Sequence, residues 1–209
     1  MDYKQRQKRL RVLISKLNKE RKKQAQKIDI LCNDFIIAQR DFIKRLGTIS
    51  FAANFYESIV GITDLNSLLY TAGKLIKDEI NDANVAFFLR HQESFELHLF
   101  ESDQPISFEK EYLENCFTPE IVDNICKANK MCTLDDMFAM GLQGNPAVLN
   151  KISAVTIPLG RFGPSLGFIL IYRSCRNKLT AAELENLSAV SCGLSRAIRT
   201  CQMPSHAAD

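Results

Sequence analysis

The chain has 209 residues, of which 46% are hydrophobic and 24% are charged, and its formal net charge is +3. This length and composition provide for one domain of ordinary size with a real core, plus an extension. No run of about 18 apolar residues occurs and the amino terminus is charged, so the sequence predicts neither a membrane span nor a secretion signal, and it favours the cytoplasm.

The first predicted element is a long helix. No proline precedes Pro105 and no glycine precedes Gly47, so nothing breaks a helix from about Tyr3 to about Gly61. Such a helix is longer than one globular domain usually needs. We therefore treat residues 1–62 as a separate, coiled-coil-like region.

Apolar residues recur along this helix in steps of four and three, and the pattern is interrupted at Arg21, Gln24 and Arg45. A lone helix cannot cover such a stripe, so the pattern predicts a homodimer. Packing against the chain's own domain is the alternative. The predicted interface, called the seam below, consists of Leu10, Ile14, Leu17, Ile28, Leu31, Phe35 and Phe42.

The charge is divided unevenly along the chain. Residues 1–27 hold eleven Lys or Arg against Asp2 and Glu20, a net +9, so the remaining residues carry −6. A basic helix can bind nucleic acid or an anionic membrane surface. Tyr3 is the only aromatic residue in this stretch, and no groove-reading motif follows it. We therefore favour a solvated flank of the coiled coil, and contact of the basic helix with nucleic acid or an anionic membrane stays open as the less favoured alternative.

Beyond the long helix, apolar periodicity and turn residues predict alternating helices and strands. Thr63 or Asp64 can cap a second helix, and Thr180 with Glu183 forms the pattern of a capping box for the last helix. The predicted elements are helix 65–80, strands 85–90 and 95–99 joined by a turn at 92–94, helix 120–128 opened by Pro119, an extended piece at 131–134, an irregular loop at 135–150, strands 152–159 and 167–173 joined by a turn at 160–166, a helix from Thr180 to about Cys201, and a disordered tail at 203–209.

This order predicts an α+β fold with about six antiparallel strands and flanking helices. Five segments, in order and at the right spacing, resemble the GAF domain family, the small-molecule-sensing module of signalling proteins. The segments are Asp64–Leu69, Ala83–Leu89, Ser153–Leu159, Gly167–Tyr172 and Leu179–Leu184. For residues 63–202 the resemblance implies a six-stranded sheet, dimerisation through terminal helices, and a ligand pocket on the sheet face opposite those helices.

The chain departs from the better-defined GAF subclasses. Asn177-Lys178 is followed by Leu179 and lacks the Phe and acidic pair of cyclic-nucleotide-binding members. None of the cysteines at 116, 126 and 132 has a neighbouring His, unlike bilin-binding members, and their spacing differs from that of the free methionine sulfoxide reductases. The resemblance therefore leaves the cofactor and ligand unknown.

No Ser-His-Asp set, phosphate-binding loop or paired-cysteine metal motif is evident, so we expect no enzyme. Asp135 and Asp136 are interpreted as helix-capping residues in preference to groups that orient a ligand amine. The predicted ligand-binding residues are Phe88, Cys132, Asp135, Asp136, Phe138, Ser153, Val155 and Ile157.

Three functional hypotheses follow from this sequence. The first is a sensor that binds a small molecule, orders the 135–150 loop, repacks the terminal helices and signals to a downstream protein. The second is a dimerisation and partner-binding scaffold whose pocket is filled by its own side chains. The third, more remote, is a redox sensor or reductase that depends on Cys132.

Overall fold

The computed structural model describes residues 3–91, 94–100, 108–160 and 165–202. The predicted tail at 203–209 lies outside these residues, as do parts of the two predicted turns. The chain divides into two compact units, Met1–Gly47 and Thr48–Asp209. The elements are α1 (Tyr3–Ile59), α2 (Leu65–Glu79), β1 (Asn84–His91), β2 (Ser94–Phe100), α3 (Lys110–Cys116), α4 (Pro119–Ala128), β3 (Cys132–Thr133), α5 (Leu134–Ala139), α6 (Pro146–Leu149), β4 (Ile152–Leu159), β5 (Gly167–Ser174) and α7 (Ala181–Gln202).

The described part of the first unit is helical throughout, and every residue from Tyr3 to Gly47 is exposed. Helix α1 ends at Ile59, and Gly61 then adopts a positive φ of 85°. Glycine reaches this conformation without the steric cost that a side chain would impose, so the chain can turn toward α2. The carboxylate of Asp64 accepts a hydrogen bond of 2.7 Å from the Ser67 amide and caps α2, as predicted.

Five antiparallel strands form one sheet in the order β2-β1-β5-β4-β3. The central strands pair over most of their length, with Phe87 opposite Ile169 and Thr156 opposite Leu170. The edge strand β3 contributes only two residues. The α+β antiparallel fold is thus confirmed, with one strand fewer in the described residues than the six that were predicted.

Strand alternation gives the sheet two apolar faces. The helix face carries Val85, Phe87 and Ile171 and packs against α2, α7 and the end of α1, where Phe55 and Ile59 are buried. The pocket face carries residues of the opposite parity and packs against the four short helices α3 to α6. Long helices therefore cover one face, and short helices with their connections cover the other.

A buried ion pair joins β5 to the start of α7. Arg173 is only 3% exposed, and its two terminal nitrogens each lie 2.9 Å from a carboxylate oxygen of Glu183. The same guanidinium donates to the carbonyls of Lys178 and Asn81. Glu183 also accepts from the backbone and hydroxyl of Thr180, which confirms the predicted capping box. Arg173 thus links the segments that contain Asn81, Lys178 and Glu183 on the helix face.

Candidate functional site

A cavity lies between the pocket face and the short helices, on the side of the sheet where a ligand pocket was predicted. Its walls are apolar, and α5 and α6 contribute Met137 and Leu149 to them. The complete lining is Phe108, Leu113, Cys116, Phe117, Leu134, Met137, Leu142, Leu149, Ile152, Ala154, Leu170 and Tyr172. No charged side chain belongs to this set, so the cavity suits an apolar occupant.

The cavity is almost completely filled by its own lining. Its volume is about 10 Å³, which is at the lower limit of the space that one water molecule needs. Met137 is fully buried and Leu149 nearly so. Ligand pockets have volumes of roughly 300–1,000 Å³, so a small molecule can enter only if side chains on α5 and α6 move.

Two tyrosines of the pocket-face cluster, Tyr172 and Tyr112, differ in the hydrogen bonding of their hydroxyls. The Tyr172 hydroxyl accepts a hydrogen bond of 3.3 Å from the Phe108 amide. The Tyr112 hydroxyl is buried and makes no hydrogen bond of good geometry among the described residues, although the Cys116 side chain and the Asn145 backbone interact with it. Burial raises the pKa of the Tyr112 phenol, so the hydroxyl stays protonated and can donate. Tyr112 precedes the lining residue Leu113 on α3 but is not itself part of the cavity wall.

Within the acidic pair at 135 and 136, Asp136 has the helix-capping role that the sequence favoured. The Asp136 carboxylate accepts from the backbone amide and the hydroxyl of Thr133, at 2.8 and 2.7 Å, and Thr133 caps α5 in return. These hydrogen bonds lower the pKa of Asp136. Asp135 is exposed in the first turn of α5. Neither carboxylate is part of the cavity wall.

The structure separates the predicted ligand-binding residues into two groups. Phe88 and Cys132 are buried on the pocket face, and Phe138 packs against the same cluster. Val155 and Ile157 are buried on the helix face, and Ser153 accepts from the Leu179 amide on that side. The expectation that all of them share one pocket is wrong, because β4 turns the residues of opposite parity, Ile152 and Ala154, toward the cavity. Binding by the first group remains a prediction.

The cysteines on the pocket face are poorly suited to thiol chemistry. Cys116, Cys126 and Cys132 are all buried, and burial raises the pKa of each thiol above its usual value. The thiolate is the reactive form, and its population falls as the pKa rises. Among the residues described, no group of three His, Cys, Asp or Glu side chains could hold a metal ion.

The first unit contains the predicted seam. All seven seam residues are exposed in the single chain, from 52% at Leu10 to 68% at Phe35. Exposed apolar side chains at this spacing are expected of a helix whose partner is another helix. Throughout the described chain, no helix combines the length and apolarity that crossing a membrane requires.

None of the eight predicted ligand-binding residues belongs to the lining of this cavity. Helix α3, which supplies Leu113 and Cys116, was not predicted, and Tyr112 lies on the same helix. The signal was weak because this seven-residue helix is too short to show a clear apolar period. Arg173 was also missed, because its partner Glu183 lies ten residues away in another element.

No protein-family model matches the chain, and no curated protein matches it either. Solved structures do resemble it. The GAF domain of a phosphoenolpyruvate-protein phosphotransferase from Coxiella burnetii has a TM-score of 0.53 at 12% identity, covering 74% of this chain and 94% of that one. A GAF domain/HD domain protein from Geobacter sulfurreducens gives 0.51 at 12% identity, with coverages of 69% and 97%.

A third structure, the GAF domain of the phosphoenolpyruvate-protein phosphotransferase from Acinetobacter, gives a TM-score of 0.51 at 12% identity and covers 73% of this chain and 92% of that one. Likeness at this level of identity concerns the fold and does not extend to ligand or activity. The segments quoted from the sequence predicted the same fold. The chain therefore has a GAF-like fold.

Proposed function

We propose that this chain is a homodimeric regulatory module, in which the seam of α1 pairs with a second copy and the GAF-like unit responds to an apolar small molecule. The observation that carries this proposal is the contrast along α1. Its seam is exposed from Leu10 to Phe42, whereas Phe55 and Ile59 of the same helix are buried. A helix with both properties can connect self-association to the state of a folded unit.

Pairing of the seams is energetically reasonable. Burying a Leu, Ile or Phe side chain completely contributes about 1.5–3 kcal/mol, and each copy offers seven such residues. Association costs roughly 4–15 kcal/mol in lost freedom, so partial burial of both seams is enough. The polar positions Arg21, Gln24 and Arg45 weaken the seam locally, which suits a helix pair that changes its packing.

The cavity wall limits the chemistry of a ligand. A charged or strongly polar compound would lose its hydration against an apolar lining that has no charged partner to offer. We therefore infer an apolar or aromatic ligand that displaces Met137 or Leu149. Gly141, with φ of 103°, lies between α5 and α6 and gives that segment backbone freedom. A downstream protein would respond to the resulting change in helix packing.

A scaffold function is the second candidate, and the filled cavity favours it. With about 10 Å³ of free volume, the GAF-like unit needs no ligand to complete its core. In that case the unit would stabilise the dimer and present a surface to partners without sensing anything. The two candidates differ in one measurable property, which is whether the folded protein gains stability from an apolar compound.

The test is thermal unfolding of the full chain against apolar and aromatic compounds, with cyclic nucleotides and amino acids as polar controls and mass measured by light scattering. The sensor function predicts a dimer and a compound-specific rise in the unfolding midpoint that is confined to apolar compounds.

A matched variant makes a negative result informative. Met137→Ala enlarges the cavity and should bind small aromatic compounds regardless of natural function. If it gains stability from them and the wild type gains none, the protein is a scaffold. A monomeric wild type would contradict both candidates.

A further inference from the structure

Five basic residues of α1 lie along one side of the helix, away from the seam. They are Lys4, Lys8, Arg11, Lys19 and Lys22, called the basic stripe below. At 100° per residue these positions fall within about 80° of arc, centred roughly 140° around the axis from the seam. Seam and stripe can therefore engage different partners at the same time.

The stripe forms no ion pair among the described residues of its own unit, in which Asp29, Asp34 and Asp41 all lie beyond Lys27. Glu20 is the only acidic residue from Tyr3 to Lys27, and it lies 3.5 Å from Lys23, which is outside the stripe. Every stripe residue is exposed. Unpaired charges of one sign at this density repel one another and favour an anionic partner.

The length of the stripe matches a repeating anion. From Lys4 to Lys22 the helix rises about 27 Å, and duplex nucleic acid carries one phosphate charge about every 1.7 Å along its axis. Ser15 lies at the same angle as the lysines, so the one further position inside the arc between Lys4 and Lys22 is polar. The apolar side chain nearest to the arc is Val12, about 20° outside it. We propose that the basic stripe binds the phosphate backbone of double-stranded nucleic acid without reading its sequence.

An anionic membrane is the less favourable partner for geometric reasons. A helix that lies on a membrane inserts its apolar face and keeps its basic residues at the flanks of that face, near the headgroups. Insertion of Leu10, Ile14 and Leu17 would instead turn the stripe toward water. Residues 18–27 also contain no large apolar side chain that could anchor the helix.

The experiment measures binding of the full chain to a labelled duplex of about 20 base pairs by fluorescence anisotropy, across a series of salt concentrations. Four to five phosphate contacts predict a log–log slope of about −4, so affinity should fall roughly 10²-fold between 50 and 200 mM salt. The test variant replaces Lys4, Lys8, Lys19 and Lys22 with Gln, which retains helix propensity. The control variant replaces four exposed lysines of the second unit with Gln, namely Lys74, Lys130, Lys151 and Lys178.

Both variants lose the same charge, so a general effect of net charge would weaken them equally. The proposal predicts that only the stripe variant loses at least about tenfold in affinity and most of its salt slope. Circular dichroism and light scattering check that helix content and mass are unchanged. Equal losses in the two variants, or no duplex binding at low salt, would overturn the proposal. So would binding to vesicles of equimolar phosphatidylcholine and phosphatidylserine without any binding to the duplex.

Discussion

The two units of the chain place similar side chains in opposite environments. In Met1–Gly47 the described Ile, Leu and Phe side chains are exposed, whereas in the second unit most of them belong to two clusters on either side of a sheet. The two units therefore differ in whether the rest of the chain covers their apolar side chains. The second unit covers its own apolar side chains, and we propose that a second copy covers those of the first.

This difference separates two kinds of stability. A self-covered core has a free energy of unfolding that does not depend on protein concentration, whereas a paired seam becomes more stable as concentration rises. Substitutions in the second unit should therefore change its unfolding, and substitutions in the seam should change the mass. The following predictions use this separation, from the largest effect on unfolding to the smallest.

Arg173→Ala should have the largest effect, because it leaves the Glu183 carboxylate without its bidentate partner and frees two carbonyls. Removal of one partner of a buried pair typically costs about 3–5 kcal/mol. Urea unfolding of the full chain measures this loss. The neighbouring exposed residue provides the control, since Arg176→Ala should change the unfolding free energy by less than about 0.5 kcal/mol.

Met137→Ala should lower the free energy of unfolding by about 2–5 kcal/mol, because it removes a fully buried side chain from the pocket face. The same helix contains a control in Asp135→Ala, which alters only an exposed residue. If both variants unfold at the same urea concentration, Met137 does not support the core. The dimer mass should be unaffected by either change.

Gly193→Ala tests how the end of α1 is held against α7. A side chain at Gly193 would overlap the ring of Tyr56, whose hydroxyl donates to the Ala189 carbonyl at 2.8 Å. Overpacking costs about 1–3 kcal/mol, against the roughly 1 kcal/mol that Ala gains over Gly within a helix. We expect a net loss in urea unfolding. In a Tyr56→Ala background, Gly193→Ala should leave the free energy of unfolding unchanged or raise it. If Gly193→Ala still lowers the free energy of unfolding there, overlap with the Tyr56 ring is not the cause.

Acid should weaken the interactions of Glu183 with Arg173 and Thr180 at the start of α7. Burial raises the pKa of Glu183, but hydrogen bonds from Thr180 and Arg173 outweigh it and hold the pKa below the ordinary value of 4.5. A depressed folded-state pKa means that this stabilisation is present above pH 4.5 and is lost as the pH falls below it.

Glu183→Gln should therefore be less stable than the wild type at neutral pH, and the difference should narrow at about pH 3.5. Urea unfolding at the two pH values measures it. A difference that does not depend on pH would show that ionisation of Glu183 contributes nothing.

Much of the second unit could be predicted from local signals. Asp64 at the cap of α2, the capping box of Thr180 and Glu183, and the alternation in β1 and β4 each depend on residues close in sequence. Local rules govern these features, so the predicted bounds lie within one or two residues of those observed. The resemblance to GAF domains predicted the fold from the order of the same segments.

The cavity could not be predicted in the same way. Assigning Val155 and Ile157 to a pocket required knowledge of which face of β4 the short helices cover, and alternation alone gives two equal choices. The pairing of Arg173 with Glu183 depends on tertiary contact. Whether Met137 and Leu149 leave room for a ligand depends on packing at the level of single side chains, which composition does not encode.

The central claim is that the seam pairs two copies, and the most direct measurement is the mass of three proteins by sedimentation equilibrium. Phe35→Glu alters a seam residue, whereas Ile37→Glu alters a comparably exposed residue about 160° around the helix. The wild type and Ile37→Glu should both have twice the mass of the 23.7 kDa chain, and Phe35→Glu should have the mass of one chain. A monomeric wild type, or an equal response of the two variants, would contradict the claim.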